Sequence, residues 1–334
     1  MKIEKNRKNR KIRKIISWIL TILAMVFFSW YLYTNRDIFD HLKEIRSIDI
    51  VLIALLQPLN ILIGGVINKW IIDTIDQMIA PLDAIMLQFA NNFVNRFISQ
   101  GGAVYRSAYL KMQHDFPISK FLASIGGIYI IGIMANASIG LLLMLFFFIR
   151  DRIFSIYMFS VFAALLVGMA ILFILKPKFK SDRWFWKKLN QVIQGWNQIK
   201  GNRVLFFKIF LFSALSLLNS SVIVYIAYHA LDVDIRFMNS FFYSTISSLS
   251  NIINLTPGGL GVNEAILMFS SDVIGVSSDI ILLGSLMLRA VSMISILSLG
   301  GVSYIILNFR LQKPGKSDNS KENQADSSPE VDHG

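Results

Sequence analysis

Residues 251–267 read NIINLTPGGLGVNEAIL, and this stretch decides the fold because a Thr-Pro-Gly-Gly sequence interrupts an otherwise helical, largely apolar segment. Proline cannot continue a helix and glycine permits unusual backbone angles, so one helix must end near Thr256. A fresh helix is predicted to begin near Val262. A break of this kind at membrane depth survives only where protein or a wet cavity surrounds it. We therefore predict that 237–275 is a re-entrant pair of half-helices.

The rest of the chain is typical of a polytopic membrane protein. Of 334 residues, 54% are hydrophobic and only 16% are charged, against roughly 25% charged in soluble domains. The net charge of +12 does not indicate a nucleic-acid partner in so apolar a chain. A bilayer span needs about 20 apolar residues. The fold class is therefore predicted as an all-α membrane helix bundle with about six full spans, at 15–34, 50–68, 121–149, 153–175, 207–231 and 278–308.

A second broken segment lies in the first half of the chain. Residues 85–110, IMLQFANNFVNRFISQGGAVYRSAYL, carry polar residues around a Gly-Gly pair and are also predicted to be re-entrant. The order span, re-entrant element, span then occurs twice, with a displacement of 157 residues that places Gly101-Gly102 on Gly258-Gly259. The first copy enters the membrane from outside and the second from inside. This pattern indicates an inverted repeat, which many transporters use to build a site near the bilayer midplane.

Basic residues set the predicted topology. Cytoplasmic segments collect 21 Lys/Arg residues and external loops 6, without counting the four in 96–120. This asymmetry favours a multi-pass protein of the cell membrane with both termini in the cytoplasm. The predicted domains are a basic N-terminus (1–14), a membrane domain (15–308, with halves 15–149 and 153–308) and a disordered tail (309–334). The loop 176–203 mixes basic and aromatic residues. It is either a helix lying on an anionic membrane surface or an ordinary cytoplasmic loop with an aromatic belt.

The second break supplies the leading candidate site. The free N–H groups and the positive end of the new half-helix would attract an anion such as a lipid phosphate. Glu264 either caps this helix or pairs with a cation, which is Arg289 or a ligand amine; an ion pair with Arg289 is our leading structural prediction. Arg289 lies deep in an apolar span and is predicted to be a buried counter-ion or a phosphate ligand. The predicted headgroup site comprises Arg106, Gly258, Gly259, Gly261, Asn263, Glu264 and Arg289.

Two arginines flank the first break. Arg96 and Arg106 could hold a phosphate at the cytoplasmic mouth, or they could be interfacial arginines on the positive side of the membrane. Asparagines near both breaks could tie half-helix backbones together. The predicted supporting residues are Asn92, Asn95, Arg96, Gly101, Gly102, Asn251, Asn254 and Pro257.

No catalytic constellation is visible. Four histidines are scattered without metal-ligand spacing, cysteine is absent, and no nucleotide-binding or nucleophile-elbow motif occurs. We expect no metal, no cofactor and no catalytic residues, and we lean against an enzyme.

The second-half motif resembles a known family. NLTPGGLGVNEAIL, a following span with Arg289 in LMLRAV, and then Gly300-Gly301 resemble the flippase-like membrane domain of lysylphosphatidylglycerol synthases. The first half matches through Arg106 in RSAYL, but a Ser-Gln-Gly-Gly sequence replaces the family's proline, Ala103 stands near its acidic position, and Gly126-Gly127-Ile128-Tyr129 replaces an acidic–Arg pair.

The resemblance implies a membrane protein that binds a phospholipid or polyprenyl-linked glycan and moves it between leaflets. The alternative it implies is a membrane component of phosphatidylglycerol lysyl transfer or of another lipid or glycan modification, with a separate synthase or glycosyltransferase as partner. In full-length synthases a separate cytosolic domain transfers the lysine, so we expect no lysyltransferase activity from this chain alone.

Overall fold

A computed structural model describes most of the chain between residues 46 and 312. The described residues are 46–74, 78–98, 100–116, 118–174, 186, 190, 197, 200–253, 259 and 261–312. The predicted span at 15–34, the basic N-terminus 1–14, nearly all of the loop 176–203 and the tail beyond Gln312 lie outside them.

The described residues form helices without any strand. In chain order these are α1 (Ser47–Thr74), α2 (Pro81–Phe97), α3 (Gly101–His114), α4 (Ile118–Asp151), α5 (Ile156–Ile174), α6 (Arg203–Ala230), α7 (Phe237–Ile253), α8 (Val262–Phe269), α9 (Ser271–Ile274), α10 (Ser278–Ser295), a π-helical turn (Ile296–Gly300) and α11 (Gly301–Gln312).

Four of the predicted spans are long, apolar helices. Segments able to cross a bilayer by length and composition lie at Ser47–Thr74, Ile125–Asp151, Arg203–Ala230 and Ser278–Leu311. The predicted span at 153–175 corresponds to α5, a shorter apolar helix. The polytopic helix bundle is thus confirmed. One boundary differs, because the last helix continues past 308 to Gln312 into the predicted tail.

Local sequence explains where several of these helices begin. Pro81 occupies the first turn of α2, where its missing N–H costs nothing. The Asn202 side chain accepts the N–H of Leu205 at 3.0 Å and so caps α6. Gly261 precedes α8 with φ +85°, a conformation that favours glycine.

Both predicted re-entrant segments are broken helices. The first is α2 and α3, with 17 and 14 residues, and the second is α7 and α8, with 17 and 8 residues. At 1.5 Å per residue none is longer than about 25 Å, which is less than the roughly 30 Å of bilayer hydrocarbon. Each pair therefore has the dimensions of half-helices rather than of full spans.

The long helices α1 and α6, which are equivalent in the two halves, pack antiparallel. Three contacts fix their direction: Leu56–Asn219, Asn60–Ser216 and Trp70–Lys208. Higher residue numbers on α1 contact lower residue numbers on α6. Asn60 and its equivalent Leu217, displaced by about 157 residues, both lie at the crossing. In an inverted repeat, a two-fold axis between the two helices brings equivalent positions together. The contact between α1 and α6 has this arrangement.

Each broken helix packs against the last long helix of the other half. Phe242 of α7 contacts Phe147 of α4 with ring centroids 5.6 Å apart. Phe93 of α2 contacts Tyr304 of α11, also at 5.6 Å. Phe147 and Tyr304 are equivalent under the same displacement. This exchange joins the two halves into one bundle.

Candidate functional site

A polar cavity lies between the two halves of the bundle. Its volume is about 330 Å³, and α1, α2, α6, α7, α8 and α10 contribute to its wall. The antiparallel helices α1 and α6 both line it, together with elements of both broken helices. The lining residues are Gln57, Asn60, Arg96, Ser216, Ser220, Ile223, Val224, Tyr243, Ser244, Ser247, Ser248, Asn251, Asn263, Ser285, Leu288, Arg289 and Ser292.

The second helix break is held by the predicted ion pair. The Arg289 Nε lies 2.6 Å from the Glu264 Oε1, and the Glu264 side chain is 0% exposed. The other carboxylate oxygen of Glu264 accepts the Gly261 N–H at 2.8 Å, at the first turn of α8. Arg289 also donates to the Gly259 carbonyl at 3.1 Å. Glu264 therefore serves both functions considered from the sequence, since it caps the half-helix and pairs with Arg289.

A second guanidinium reaches the cavity from the first half. Arg96 of α2 donates to the Ser292 hydroxyl at 3.0 Å. Ser292 lies one turn beyond Arg289 and donates to its carbonyl at 2.8 Å. Arg96 and Arg289 thus line the same cavity from different halves. A guanidinium has the geometry to donate two hydrogen bonds to a phosphate or a carboxylate, so the chemistry available to this pair is the binding of an anion.

Amides and hydroxyls form much of the remaining wall. Asn60 donates to Ser220 at 3.0 Å and accepts from Ser216 and Asn219 at 3.1 and 3.0 Å. A second cavity of about 210 Å³ adjoins this wall and shares Asn60, Ser216, Ser220 and Ser248 with the first. No charged residue among the described residues lines this second cavity.

The structure brings some predicted site residues together. Arg96, Asn251, Asn263 and Arg289 line the main cavity. Glu264, Gly259 and Gly261 lie directly behind Arg289. Asn263 also accepts a hydrogen bond from Ser250, which fixes α8 against α7.

Other predicted site residues lie elsewhere. Arg106 lines neither cavity; its side chain donates to Gln88 at 2.9 Å and lies 5.0 Å from the centre of the Phe121 ring. Asn92 donates to the Gln88 carbonyl within its own helix.

The remaining residues of the first break hold its backbone together. Asn95 accepts the Gly102 N–H at 2.8 Å and so joins the two half-helices. Gly101 packs against Ile98 at the junction. In the second break, Asn254, Pro257 and Gly258 lie outside the described residues.

Sequence reasoning missed the hydroxyl and amide wall. Gln57 and Asn60 lie near Pro58 in a span that hydropathy treats as uniformly apolar. Ser216 and Ser220 are four residues apart, as are Ser244 and Ser248. Such a spacing puts each pair on one helix face. This four-residue spacing of polar side chains within apolar spans was the sequence signal from which the wall could have been predicted.

The comparisons with known proteins give one match. The model of the family described as the lysylphosphatidylglycerol synthase transmembrane region matches residues 17–300. No curated protein and no solved structure matches the chain significantly.

Proposed function

The chain belongs to the lysylphosphatidylglycerol synthase transmembrane-region family, and from this premise we propose that it binds the headgroup of a phospholipid or lipid-linked glycan and moves it between leaflets. The protein would act in the cell membrane with both termini in the cytoplasm. The acyl or prenyl chains stay in the bilayer while the headgroup enters the cavity between the halves.

The observation that carries the proposal is the pair of arginines in a polar cavity inside an apolar bundle. Arg96 comes from the first half and Arg289 from the second, and both line the same space. Charged side chains inside a membrane are costly and usually mark an ion or substrate pathway. The phosphates of lipid headgroups are the abundant anions of a membrane.

The position of the cavity supports movement as well as binding. The wall formed by Asn60 and Ser216 lies where the antiparallel helices α1 and α6 cross. In transporters built from inverted repeats, rocking of one half against the other opens a central site to each side in turn. Passage through such a cleft avoids transfer of the polar headgroup into hydrocarbon, which costs several kcal/mol.

Reconstitution tests the proposal. Vesicles containing the protein and a fluorescent phospholipid are treated with a membrane-impermeant quencher, and the loss of protected signal reports movement between leaflets. We expect movement well above that of protein-free vesicles. Arg96→Gln should slow it by about tenfold or more, because a hydrogen bond to a charged group contributes roughly 1.5–3 kcal/mol and 1.4 kcal/mol corresponds to tenfold.

Two further variants guard against misfolding as the cause. Arg150→Gln removes an exposed arginine at the end of α4 that lines neither cavity, and this variant should move lipid like the wild type. The double variant Glu264→Gln/Arg289→Gln removes both charges together, so it loses the cation without leaving a buried charge unpaired. It should fold and move lipid slowly. Lipid movement by the wild type no faster than in protein-free vesicles would refute the proposal.

A further inference from the structure

We propose that the cavity selects lipids with a monoanionic phosphodiester and an uncharged polyhydroxylated headgroup, and that it rejects headgroups with a free amine. This inference rests on the proposed function, because it names the class of lipid that the same cavity accepts. It is carried by the charges and hydrogen-bonding groups of the cavity wall.

The arginines and their acidic partner leave the site with one uncompensated positive charge. The charge of Arg289 is balanced by Glu264, at 2.6 Å. Arg96 binds the neutral Ser292 hydroxyl, and no carboxylate of the described residues forms an ion pair with it. One phosphodiester, which carries a single negative charge, therefore neutralises the cavity.

The cavity offers nothing to balance a headgroup amine. Among the residues that the structure describes, no Asp or Glu lines it, and the adjoining segment 254–260 contains no acidic residue in the sequence. Glu264 is not available, because it is fully buried and its two oxygens are already bound to Arg289 and Gly261. An ammonium would thus enter a positively charged space without a partner, and such like-charge contacts cost several kcal/mol.

The remaining wall matches hydroxyl groups. Serines and amides at Ser216, Ser220, Ser244, Ser248, Asn60 and Gln57 both donate and accept hydrogen bonds, as polyol hydroxyls do. The volume of about 330 Å³ is at the lower end of small-molecule sites, roughly 300–1,000 Å³, so it suits a headgroup and not a whole lipid. A phosphoglycerol group and the first part of a phosphosugar share this chemistry.

The adjoining second cavity provides room for the larger of these two sources. Asn136 lines it, is buried, and has a side-chain oxygen without a hydrogen-bond partner among the described residues. A sugar hydroxyl that reached past Asn60 would satisfy this oxygen. Phosphatidylglycerol is too short to need it.

The experiment compares labelled lipids in otherwise identical vesicles containing the full chain. The lipids are phosphatidylglycerol, a polyprenyl phosphosugar, lysyl-phosphatidylglycerol and phosphatidylethanolamine. We expect phosphatidylglycerol to move at least about tenfold faster than either amine-bearing lipid, since 1.4 kcal/mol is a factor of ten. If an amine-bearing lipid moves as fast, the inference fails while the proposed function stands.

If no lipid moves at all, the proposed translocation fails and equilibrium binding still decides the selectivity. Lipid binding to the detergent-purified protein can be followed by native mass spectrometry. Preferential retention of phosphatidylglycerol over its lysyl form supports the inference, and equal retention overturns it.

Two substitutions at one position test the charge argument. Ser292→Asp places a carboxylate beside Arg96 and removes the excess positive charge, whereas Ser292→Asn makes a similar change in size without charge. The aspartate variant should reduce the preference for phosphatidylglycerol over lysyl-phosphatidylglycerol by about tenfold, and the asparagine variant should keep it. An unchanged preference in the aspartate variant would contradict the argument.

A last variant separates the two lipid sources. Asn136→Leu should slow the phosphosugar lipid by a larger factor than phosphatidylglycerol. If both lipids slow equally, or if neither does, the second cavity plays no part in sugar binding and the selectivity is for phosphoglycerol alone.

Discussion

The two helix breaks occupy equivalent places in the halves of the bundle, but they are stabilised differently. In the first half, Arg106 is only 8% exposed and donates a hydrogen bond to the neutral amide oxygen of Gln88, at 2.9 Å. In the second half, Arg289 has a full carboxylate partner in Glu264. The first break thus keeps a buried cation in a neutral environment, whereas the second keeps an ion pair next to the cavity.

This difference shows that the repeat determines how the helices are arranged, whereas individual residues determine the chemistry of each cavity. The position equivalent to Arg289 is Gly132, displaced by about 157 residues, and Gly132 lines the second cavity. A Cβ added to Gly132 would meet nothing within 4 Å. The two cavities therefore occupy corresponding places in the halves, and among the described residues only the first is lined by charged side chains.

The largest effect is expected from Glu264→Gln. The change leaves the Arg289 guanidinium buried without its counter-charge, and breaking a buried pair in this way costs roughly 3–5 kcal/mol. The midpoint of thermal or denaturant unfolding in detergent measures it. The double variant Glu264→Gln/Arg289→Gln should recover part of the loss. Additive losses in the double variant would mean that the two residues do not stabilise the break as a pair.

A smaller effect is expected at the first break from Gly102→Ala. The added methyl group would lie 2.1 Å from the Asn91 carbonyl oxygen, which belongs to the backbone and cannot turn aside. Forced overpacking of this kind costs roughly 1–3 kcal/mol. Gly132→Ala is the matched control, because its methyl group enters open space. Equal stability of the two variants in an unfolding assay would show that the junction of α2 and α3 is not closely packed.

Hydropathy and helix-breaking residues were enough to predict the bundle and both breaks. Long apolar windows correspond to α1, α4, α6 and α10, because a bilayer span imposes a length and a composition that can be recognised in the sequence. Gly101-Gly102 and the Thr256-Pro257 pair mark positions where a helix cannot simply continue. The pairing of Glu264 with Arg289 was also predictable, since two opposite charges in an apolar region need each other.

The composition of the cavity was not predictable to the same degree. Arg96 and Arg106 have the same chemistry and both flank the first break, yet only Arg96 points into the cavity. Which of them does so depends on how α2 packs against α10, where Ser292 receives the Arg96 guanidinium. Contacts between distant helices, such as Asn60 with Ser216, have no local signature in the sequence.

Gln88→Glu should make the first break resemble the second and stabilise the protein. The new carboxylate would pair with Arg106 and still accept the hydrogen bond that Asn68 gives to Gln88 at 2.8 Å. Charge-assisted hydrogen bonds are about twice as strong as neutral ones, so a gain of about 1 kcal/mol in the free energy of unfolding is expected. A loss of stability would mean that the buried environment of Arg106 disfavours a second charge more than the pair gains.

The smallest effect is expected from Ser295→Ala, at the contact between α10 and the proline of α1. Pro58 has no N–H, so the carbonyl of Ala54 lacks its usual helical partner. The Ser295 hydroxyl donates to that carbonyl at 3.2 Å. Hydrogen bonds between membrane helices contribute about 0.6 kcal/mol on average, and a loss of that size is expected in an unfolding assay. Ser298→Ala, which removes only contacts to the carbonyls of Ile294 and Ser295 in the preceding turn, should cost less. Equal stability of the two variants would mean that the Ala54 carbonyl does not need the hydrogen bond from Ser295. The contact between the two halves at this point would then not contribute to stability.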